Sequence, residues 1–421
     1  MNPYIPLRNW LTGQGAILTD IVIRQEEPFN RHLEADRTFV AQESLMQLPL
    51  SCIITAPLAQ DTLNAQGVSE GYHLTPSMML SLFLLLQKNT PHSKWLPYIE
   101  ALPDNHPGHP LFWSETEINA LAGSKAADHL SYKKCKLRQD YNRFFYDNPF
   151  GFEPGFELFL WAWVCVESRN FTLNIQGEKT LCLLPFVDMA NHDPELGFCW
   201  RFDEKSQCCQ IFSATDMAPG QQIFCDYGKK SNSRMLIHYG FIPEQNGQDE
   251  VELAFDDVVH LLMLQGKLQQ APADIAYPLS LSVGDEKKFT ALMDFFRGLK
   301  NLHGQSDISK ECSGLALLKC ICQARLQGYA TTLQQDEAVL EAQKGDLSGS
   351  MKNILRLHIS EKRIYQNYID MADVASELLQ QDIKWQDDKS RLAYRHFYQY
   401  VEDTIIPLTE QAQITANSCY P

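Results

Sequence analysis

Three stretches near the middle of the chain decide the fold: PFVDMANH (residues 185–192), GQQIFCDYG (residues 220–228) and YGF (residues 239–241). The first ends in an Asn-His pair, and the second ends in a Tyr-Gly pair after a short β-type run. Amide, imidazole and phenol groups beside bare glycine backbone can form hydrogen bonds in several directions within a small space. The three stretches therefore predict one compact functional site.

The composition is that of a globular protein. The chain has 421 residues, of which 44% are hydrophobic and 21% charged, so we expect two or three packed units. The formal charge of -16, from 52 acidic and 36 basic residues, argues against a nucleic-acid partner, because such proteins present concentrated positive charge. A protein substrate with a basic or lysine-bearing segment fits this charge better.

The cysteines and the apolar runs limit the other function classes. The chain has 12 cysteines at irregular intervals. The close groups Cys208-Cys209 and Cys320-Ile321-Cys322 lack the paired spacing of a tetrahedral zinc site, so we expect no metal. Free thiols favour a reducing compartment. We find no targeting segment and no apolar run of about 18 residues, so we expect a soluble, cytoplasmic protein without a membrane partner.

Strand patterns enclose a helical block in the first half of the chain. Short strands are predicted between Ile17 and about Thr55, and again between Thr180 and Cys225. Between them, Thr75 followed by Pro76 predicts a helix start. Two further helices are predicted, one from a capping box at residues 114–117 and one over the apolar run 156–166. This arrangement indicates a helical insertion in a β fold.

The second half of the chain has a helical pattern. Residues 243–250 are polar and predict a linker. Apolar residues at three- and four-residue steps then predict one long amphipathic helix from Met351 to Leu379. Another helix is predicted from about Ser390, with Pro407 ending or kinking it.

The central stretches resemble the catalytic half of a SET-domain methyltransferase, and within it the Rubisco large-subunit methyltransferase class. The WLPYI stretch (residues 95–99), followed by Leu102-Pro103, resembles the same class. The resemblance implies an α+β fold: a β-rich SET core over residues 1–245, with a helical insert at about 70–165. An all-α substrate-binding lobe would follow over residues 246–421.

The resemblance also implies S-adenosyl-L-methionine as cofactor and a protein as substrate. Tyr227 lies at the family's catalytic tyrosine position, where the phenol orients the acceptor. Asn191 and His192 match the Asn-His pair that holds the two ends of the cofactor. Arg169 matches an arginine that approaches the cofactor carboxylate, for which a guanidinium is well suited.

Two of these matches, one at Asp188 and one at residues 239–241, have alternative interpretations. Asp188 either orients the substrate or stabilises its own turn. Tyr239, Gly240 and Phe241 either contribute surface to the cofactor pocket or simply end a helix at a glycine.

One part of the family pattern is absent. The family carries a Gly-x-Gly turn before a leucine, and counting back from Leu33 places Asn30, Arg31 and His32 there. Asn and His tolerate positive φ better than most residues, but a His side chain where no Cβ is expected would crowd the nucleotide.

Three functions follow from these patterns. The first is a protein-lysine N-methyltransferase that uses S-adenosylmethionine. The second is a degenerate SET fold that binds a protein without catalysis. The third is a protein-histidine N-methyltransferase, because a tyrosine-lined pocket of this type also accepts an imidazole.

Overall fold

The structure is a computed structural model. It describes residues 4–18, 20–27, 30–68, 73–146, 151–253, 279–298, 306–343, 345–380, 385 and 389–418. The chain divides into two compact units. The first unit comprises residues 1–112 and 132–229, and the second comprises residues 113–131 and 230–421.

The first unit contains two β-sheets. Its strands are β1 (Ile21–Glu27), β2 (Asn30–Ala35), β3 (Ser44–Pro49), β4 (Ile54–Thr55), β5 (Asn170–Ile175), β6 (Glu178–Leu183), β7 (Asn191–His192), β8 (Gly197–Asp203), β9 (Cys208–Phe212) and β10 (Gln222–Cys225). The larger sheet has the order β1-β2-β10-β8-β9-β3, and β7 also pairs with β10. The smaller sheet has the order β4-β6-β5. Strand β10 therefore lies where several strands that carry site residues meet.

The helices of the first half follow local signals. They are α1 (Tyr4–Gly13), α2 (Ala56–Ala65), α3 (Pro76–Asn89), α4 (Leu96–Ile99), α5 (Glu115–Ala120), α6 (Lys125–Phe145) and α7 (Phe156–Glu167). The Thr75 hydroxyl accepts from the Met78 backbone N–H at 3.3 Å, as the predicted cap requires. Ser114 and Glu117 form the predicted capping box of α5. Helix α5 belongs to the second unit, and α6 has residues in both ranges.

The second unit is mainly helical. Its further helices are α8 (Asn232–Tyr239), α9 (Glu286–Arg297), α10 (Asp307–Gln327), α11 (Leu333–Ala342), α12 (Gly349–Leu379), α13 (Arg395–Tyr400) and α14 (Ile406–Ser418). Helix α12 confirms the predicted long amphipathic helix. Its buried residues pack into one apolar core with α9, α10 and the segment 392–405. In that core the rings of Phe289 and Tyr400 meet edge to face with their centroids 4.8 Å apart.

The α+β fold class is confirmed, and the structure corrects one detail of the C-terminal region. The second unit also contains an antiparallel pair of strands, β11 (Glu250–Leu253) and β12 (Leu279–Ser282). Val251, Leu253 and Leu281 are buried, because alternation with a period of two directs them to one face. Four-residue strands of this kind are too short to stand out within a helical region.

The regular α-helical hydrogen bonding is interrupted just before Pro407. The helical segment begins at Arg395, passes through a π-helical turn at Val401–Ile405 and continues through Pro407 as α14. Pro407 is the second residue of α14, and its missing backbone N–H falls where the hydrogen bonding changes from the π to the α pattern. The segment is thus not one continuous α-helix, since the π turn separates α13 from α14.

Two features are absent from the described residues. None of the described helices is long and apolar enough to cross a membrane. Across the same residues, no group of three or more His, Cys, Asp or Glu side chains is arranged to hold a metal ion.

Candidate active site

Parallel pairing with β10 brings the Asn-His pair beside the Tyr-Gly pair. Asn191 lies opposite Phe224 and His192 opposite Cys225. The sequence separates these partners by more than thirty residues, so this arrangement depends on the sheet rather than on local structure. Tyr227 follows β10 directly and therefore lies next to His192.

Backbone and ring contacts fix His192 against Tyr227. The Tyr227 backbone N–H donates to Nδ1 of His192 at 3.1 Å, and the Cys225 carbonyl oxygen lies 3.2 Å from the same nitrogen. The two rings are stacked, with their centroids 4.9 Å apart and their planes at 23°. The contact with the Tyr227 N–H uses a lone pair on Nδ1, whereas a hydrogen bond to the Cys225 carbonyl oxygen uses a proton there, so the tautomer of His192 decides which of the two forms. The contacts hold both rings in one orientation.

The phenol of Tyr227 has a second anchor. Its hydroxyl donates to the Ala190 carbonyl oxygen at 2.8 Å, and the side chain is half-buried. Since the O–H donates to Ala190, the lone pairs of the phenol oxygen remain to accept a hydrogen bond. The phenol is thus held as an acceptor at a defined place.

The turn before the Asn-His pair is strained. Phe186 is buried and has φ 78° and ψ -46°, a conformation that bulky side chains rarely adopt. A short 3-10 turn, Val187–Met189, follows it. Backbone strain of about 1–3 kcal/mol persists only where the surroundings impose it, and it is common at functional sites. The strained turn sets the direction in which Asp188 enters the interior.

Gly197 permits the close approach of two segments at the site. It opens β8 and lies opposite Phe224. A Cβ built on Gly197 would lie 2.3 Å from the Asp226 backbone nitrogen, closer than any real contact. Only glycine fits here. Sequence reasoning missed this residue, although an isolated glycine in a strand pattern is a signal of close backbone approach.

Asp188 and Arg169 form the centre of a buried polar cluster. The Asp188 side chain is 0% exposed, and its Oδ2 accepts from the Tyr98 hydroxyl at 2.6 Å. Arg169 Nη1 donates to the Asp188 backbone oxygen at 2.7 Å and lies 3.9 Å from Oδ2. Burial raises the pKa of Asp188, and the charge of Arg169 opposes this only in part. Sequence reasoning gave Tyr98 no role, because its contact joins residues 90 positions apart.

Arg31 belongs to the same cluster. Its Nη1 donates to the Ala101 carbonyl oxygen at 2.8 Å. Burial, and after it the positive charge of Arg169, lower the pKa of Arg31. Three buried atoms of the cluster have no hydrogen-bond partner in the part of the chain that the structure describes: Arg31 Nη2, Arg169 Nε and Asp188 Oδ1.

The structure differs from the expected turn at Asn30, Arg31 and His32. These residues open β2 and pair with β1, so that Arg31 lies opposite Gln25 and His32 opposite Arg24. A strand does not require glycine, which explains how both glycines of the Gly-x-Gly pattern can be absent. His32 is buried, with Nε2 3.8 Å from the Glu34 carboxylate. The Asn30 side chain lies outside the described residues, and its backbone pairs with β1.

Tyr239, Gly240 and Phe241 belong to the second unit and end helix α8. Gly240 has φ 81° in the left-handed region, and its N–H donates to the Leu236 carbonyl oxygen at 2.9 Å. This geometry confirms the interpretation of the three residues as a helix end. The rings of Tyr239 and Phe241 stand edge to face with centroids 6.4 Å apart.

Comparison with known families gives two matches, one after the other along the chain. Residues 30–228 match the SET domain, and residues 268–364 match the Rubisco LSMT substrate-binding domain. The first match begins at the strand that replaces the Gly-x-Gly turn and ends directly after Tyr227.

Similar proteins span most of the chain. An actin-histidine N-methyltransferase of Papio anubis is 26% identical over 90% of this chain and 70% of its own length. The human actin-histidine N-methyltransferase is 25% identical over the same shares.

Solved structures agree in fold. Rubisco LSMT bound to methyl-lysine and AdoHcy superimposes with a TM-score of 0.70 at 18% identity, covering 92% of this chain and 95% of that one. Rubisco LSMT bound to AdoMet gives a TM-score of 0.66 at 19% identity, with coverages of 96% and 97%. With both domains of that architecture present in order, the chain belongs to the SET-domain methyltransferases of the Rubisco large-subunit methyltransferase class.

Proposed function

We propose that this S-adenosylmethionine-dependent protein methyltransferase transfers the methyl group to a histidine side chain of its protein substrate. The main observation is the likeness over 90% of the chain to enzymes named actin-histidine N-methyltransferases. The lysine-bound structures are only 18% identical and support the fold alone. The relatives therefore favour the histidine alternative over the lysine acceptor that the sequence first suggested.

The buried cluster around Asp188 fits the methyl donor. S-adenosylmethionine carries a carboxylate, and Arg169 Nε is a buried donor without a partner among the described residues. A guanidinium forms strong, charge-assisted hydrogen bonds with a carboxylate. When bound, the cofactor supplies an electrophilic methyl group on a sulfonium. We assign Arg169 to the carboxylate, and Asn191 and His192 to the cofactor's two ends.

The remaining cofactor assignments are proposals of the same kind. Asp188 holds Arg169 in place through its backbone oxygen and its buried charge. Asn30 and His32 contribute through the backbone of β2.

A histidine acceptor makes modest demands on the site. A lysine with a pKa of about 10.4 must lose a proton at pH 7 at a cost of about 4.6 kcal/mol, whereas histidine with a pKa of about 6.5 is mostly neutral. A neutral imidazole has a lone pair on one nitrogen and an N–H on the other. The Tyr227 oxygen, which donates to Ala190, can accept that N–H and direct the lone pair away from itself.

The reaction tests the proposal directly. The purified protein is incubated with actin and labelled S-adenosylmethionine, and the modified peptide is sequenced by mass spectrometry. We expect label on a histidine, and we expect Tyr227→Phe to lower the rate on the order of 100-fold, as when one orienting group is lost from a preorganised site. Tyr146→Phe is the matched control, because Tyr146 is 87% exposed.

Other results would change the proposal. Label on a lysine would restore the lysine acceptor. Absence of transfer to actin, with transfer to another protein in a lysate, would change the substrate. No transfer and no cofactor binding would make the chain a SET-fold binding scaffold.

A further inference from the structure

The side chain at position 31 faces the interior of the first unit. Leu33 and Ala35 lie on one face of strand β2 and are both 0% exposed. Arg31 shares their face, since side chains two apart in a strand point to the same side. Its guanidinium accordingly reaches the Ala101 carbonyl oxygen at 2.8 Å. Arg31 is thus a cation directed into the unit, at the middle position of the missing Gly-x-Gly pattern.

The cluster around Arg31 has an excess of positive charge. It contains two guanidiniums, Arg31 and Arg169, and one carboxylate, Asp188. The Arg169 side chain is 14% exposed and the Asp188 side chain 0%. Even if the free Oδ1 of Asp188 reached one guanidinium through water, one positive charge would remain without a counter-charge. Removing an uncompensated charge from water is costly, so the arrangement requires an anion.

The free donors indicate where that anion binds. Arg31 Nη2 and Arg169 Nε are both buried, and neither has an acceptor among the described residues. The low pKa of Arg31, due first to burial and then to Arg169, agrees with two guanidiniums that share one site. Two such donors can hold the two oxygens of a carboxylate.

We propose that Arg31 is a second guanidinium for the carboxylate of the methyl donor, acting together with Arg169. This inference rests on the proposed function. It also gives a reason why the chain dispenses with the Gly-x-Gly turn: a charged side chain from a strand replaces part of what a close glycine backbone provides. Arg31 is then a cofactor-binding residue through its side chain.

Calorimetry with two ligands tests the role of Arg31. S-adenosylmethionine and decarboxylated S-adenosylmethionine differ only in the carboxylate. We expect Arg31→Met to weaken the binding of the first about 10- to 100-fold, the range of one charge-assisted hydrogen bond in a buried site. Binding of the second should stay within about twofold. Arg31→Lys keeps the positive charge and should therefore weaken the binding of S-adenosylmethionine less than Arg31→Met does.

The control variant is Arg24→Met. Arg24 lies opposite His32 on β1, is 54% exposed and pairs with Glu34 at 3.0 Å, so its loss should change the binding of neither ligand. Equal weakening of both ligands by Arg31→Met, or unchanged S-adenosylmethionine binding, would overturn the proposal. A wild-type protein that binds neither ligand would overturn the proposed function as well, which separates the two failures.

Discussion

The two compact units bury charge in different ways. In the second unit, Lys362 donates to the Asp336 carboxylate at 2.5 Å and to the Thr331 carbonyl oxygen at 2.8 Å. Its neighbour Glu361 accepts a hydrogen bond from the Ser124 hydroxyl at 2.8 Å. The other carboxylate oxygen of Glu361 accepts from the Tyr329 hydroxyl at 2.6 Å. Each of these buried ionisable groups is hydrogen-bonded within its own unit.

The first unit leaves its buried charges incompletely paired. Arg31, Arg169 and Asp188 each keep a buried polar atom without a partner among the described residues. A buried charge is compatible with a stable fold only while its hydrogen-bond partners remain. A buried charge that lacks a partner lowers the stability until a ligand supplies one. The contrast assigns a structural role to the charges of the second unit and a binding role to those of the first.

The largest difference in stability should come from removing one cation in each unit. Lys362→Met leaves Asp336 buried without its counter-charge, so we expect the free energy of unfolding to fall by about 3–5 kcal/mol. Arg31→Met removes an uncompensated cation, so we expect a change of less than about 1 kcal/mol. Urea denaturation followed by circular dichroism measures both values.

Arg363→Met controls for the loss of a charged residue from the same helix. Arg363 is 59% exposed and pairs with Glu337 at 2.6 Å, and exposed pairs contribute about 0–1 kcal/mol. If Lys362→Met cost no more than Arg363→Met, the contrast between the units would be wrong.

A smaller effect should appear in the pH dependence of the second unit. Burial raises the pKa of Glu361 from 4.5 to about 7. Between these values the folded state keeps a proton that the unfolded state releases. Glu361 therefore contributes up to about 3 kcal/mol to the free energy of unfolding. This contribution is fully present below about pH 4.5 and is lost as the pH rises through about 7.

Glu361→Gln isolates this contribution. Glutamine keeps oxygen and nitrogen atoms near Ser124 and Tyr329 but does not titrate. The free energy of unfolding of the variant, minus that of the wild type, should increase from pH 4.5 to pH 7. A constant difference over that interval would show that Glu361 is ionised in the folded protein and that its burial is less complete than described.

The last expected effect on stability concerns Gly197 in the first unit. Gly197→Ala places a methyl group 2.3 Å from the Asp226 nitrogen, and we expect overpacking to cost about 1–3 kcal/mol. The rate of methyl transfer should fall by more than the loss of stability explains, because a displacement of Asp226 also moves the adjacent Tyr227. In the second unit, Gly349→Ala meets nothing within 4 Å at the start of α12 and should be neutral or stabilising. Thermal unfolding and the transfer assay distinguish these outcomes.

Several elements could be predicted because their causes are local. Thr75 caps α3 through a neighbour three residues away, and Ser114 and Glu117 cap each other. Helix α12 follows from apolar periodicity over its own length. The contacts that define these elements lie within a few residues, so the sequence contains them directly.

Other features could not be predicted, because their causes lie far apart along the chain. The sequence alone indicates the SET class, the motif residues and the long helix. Tertiary structure decided that residues 30–32 form a strand, because β1 is present to pair with them. It also decided that Tyr98 reaches Asp188 and that Arg31 joins Arg169, since a buried charge depends on every segment that surrounds it.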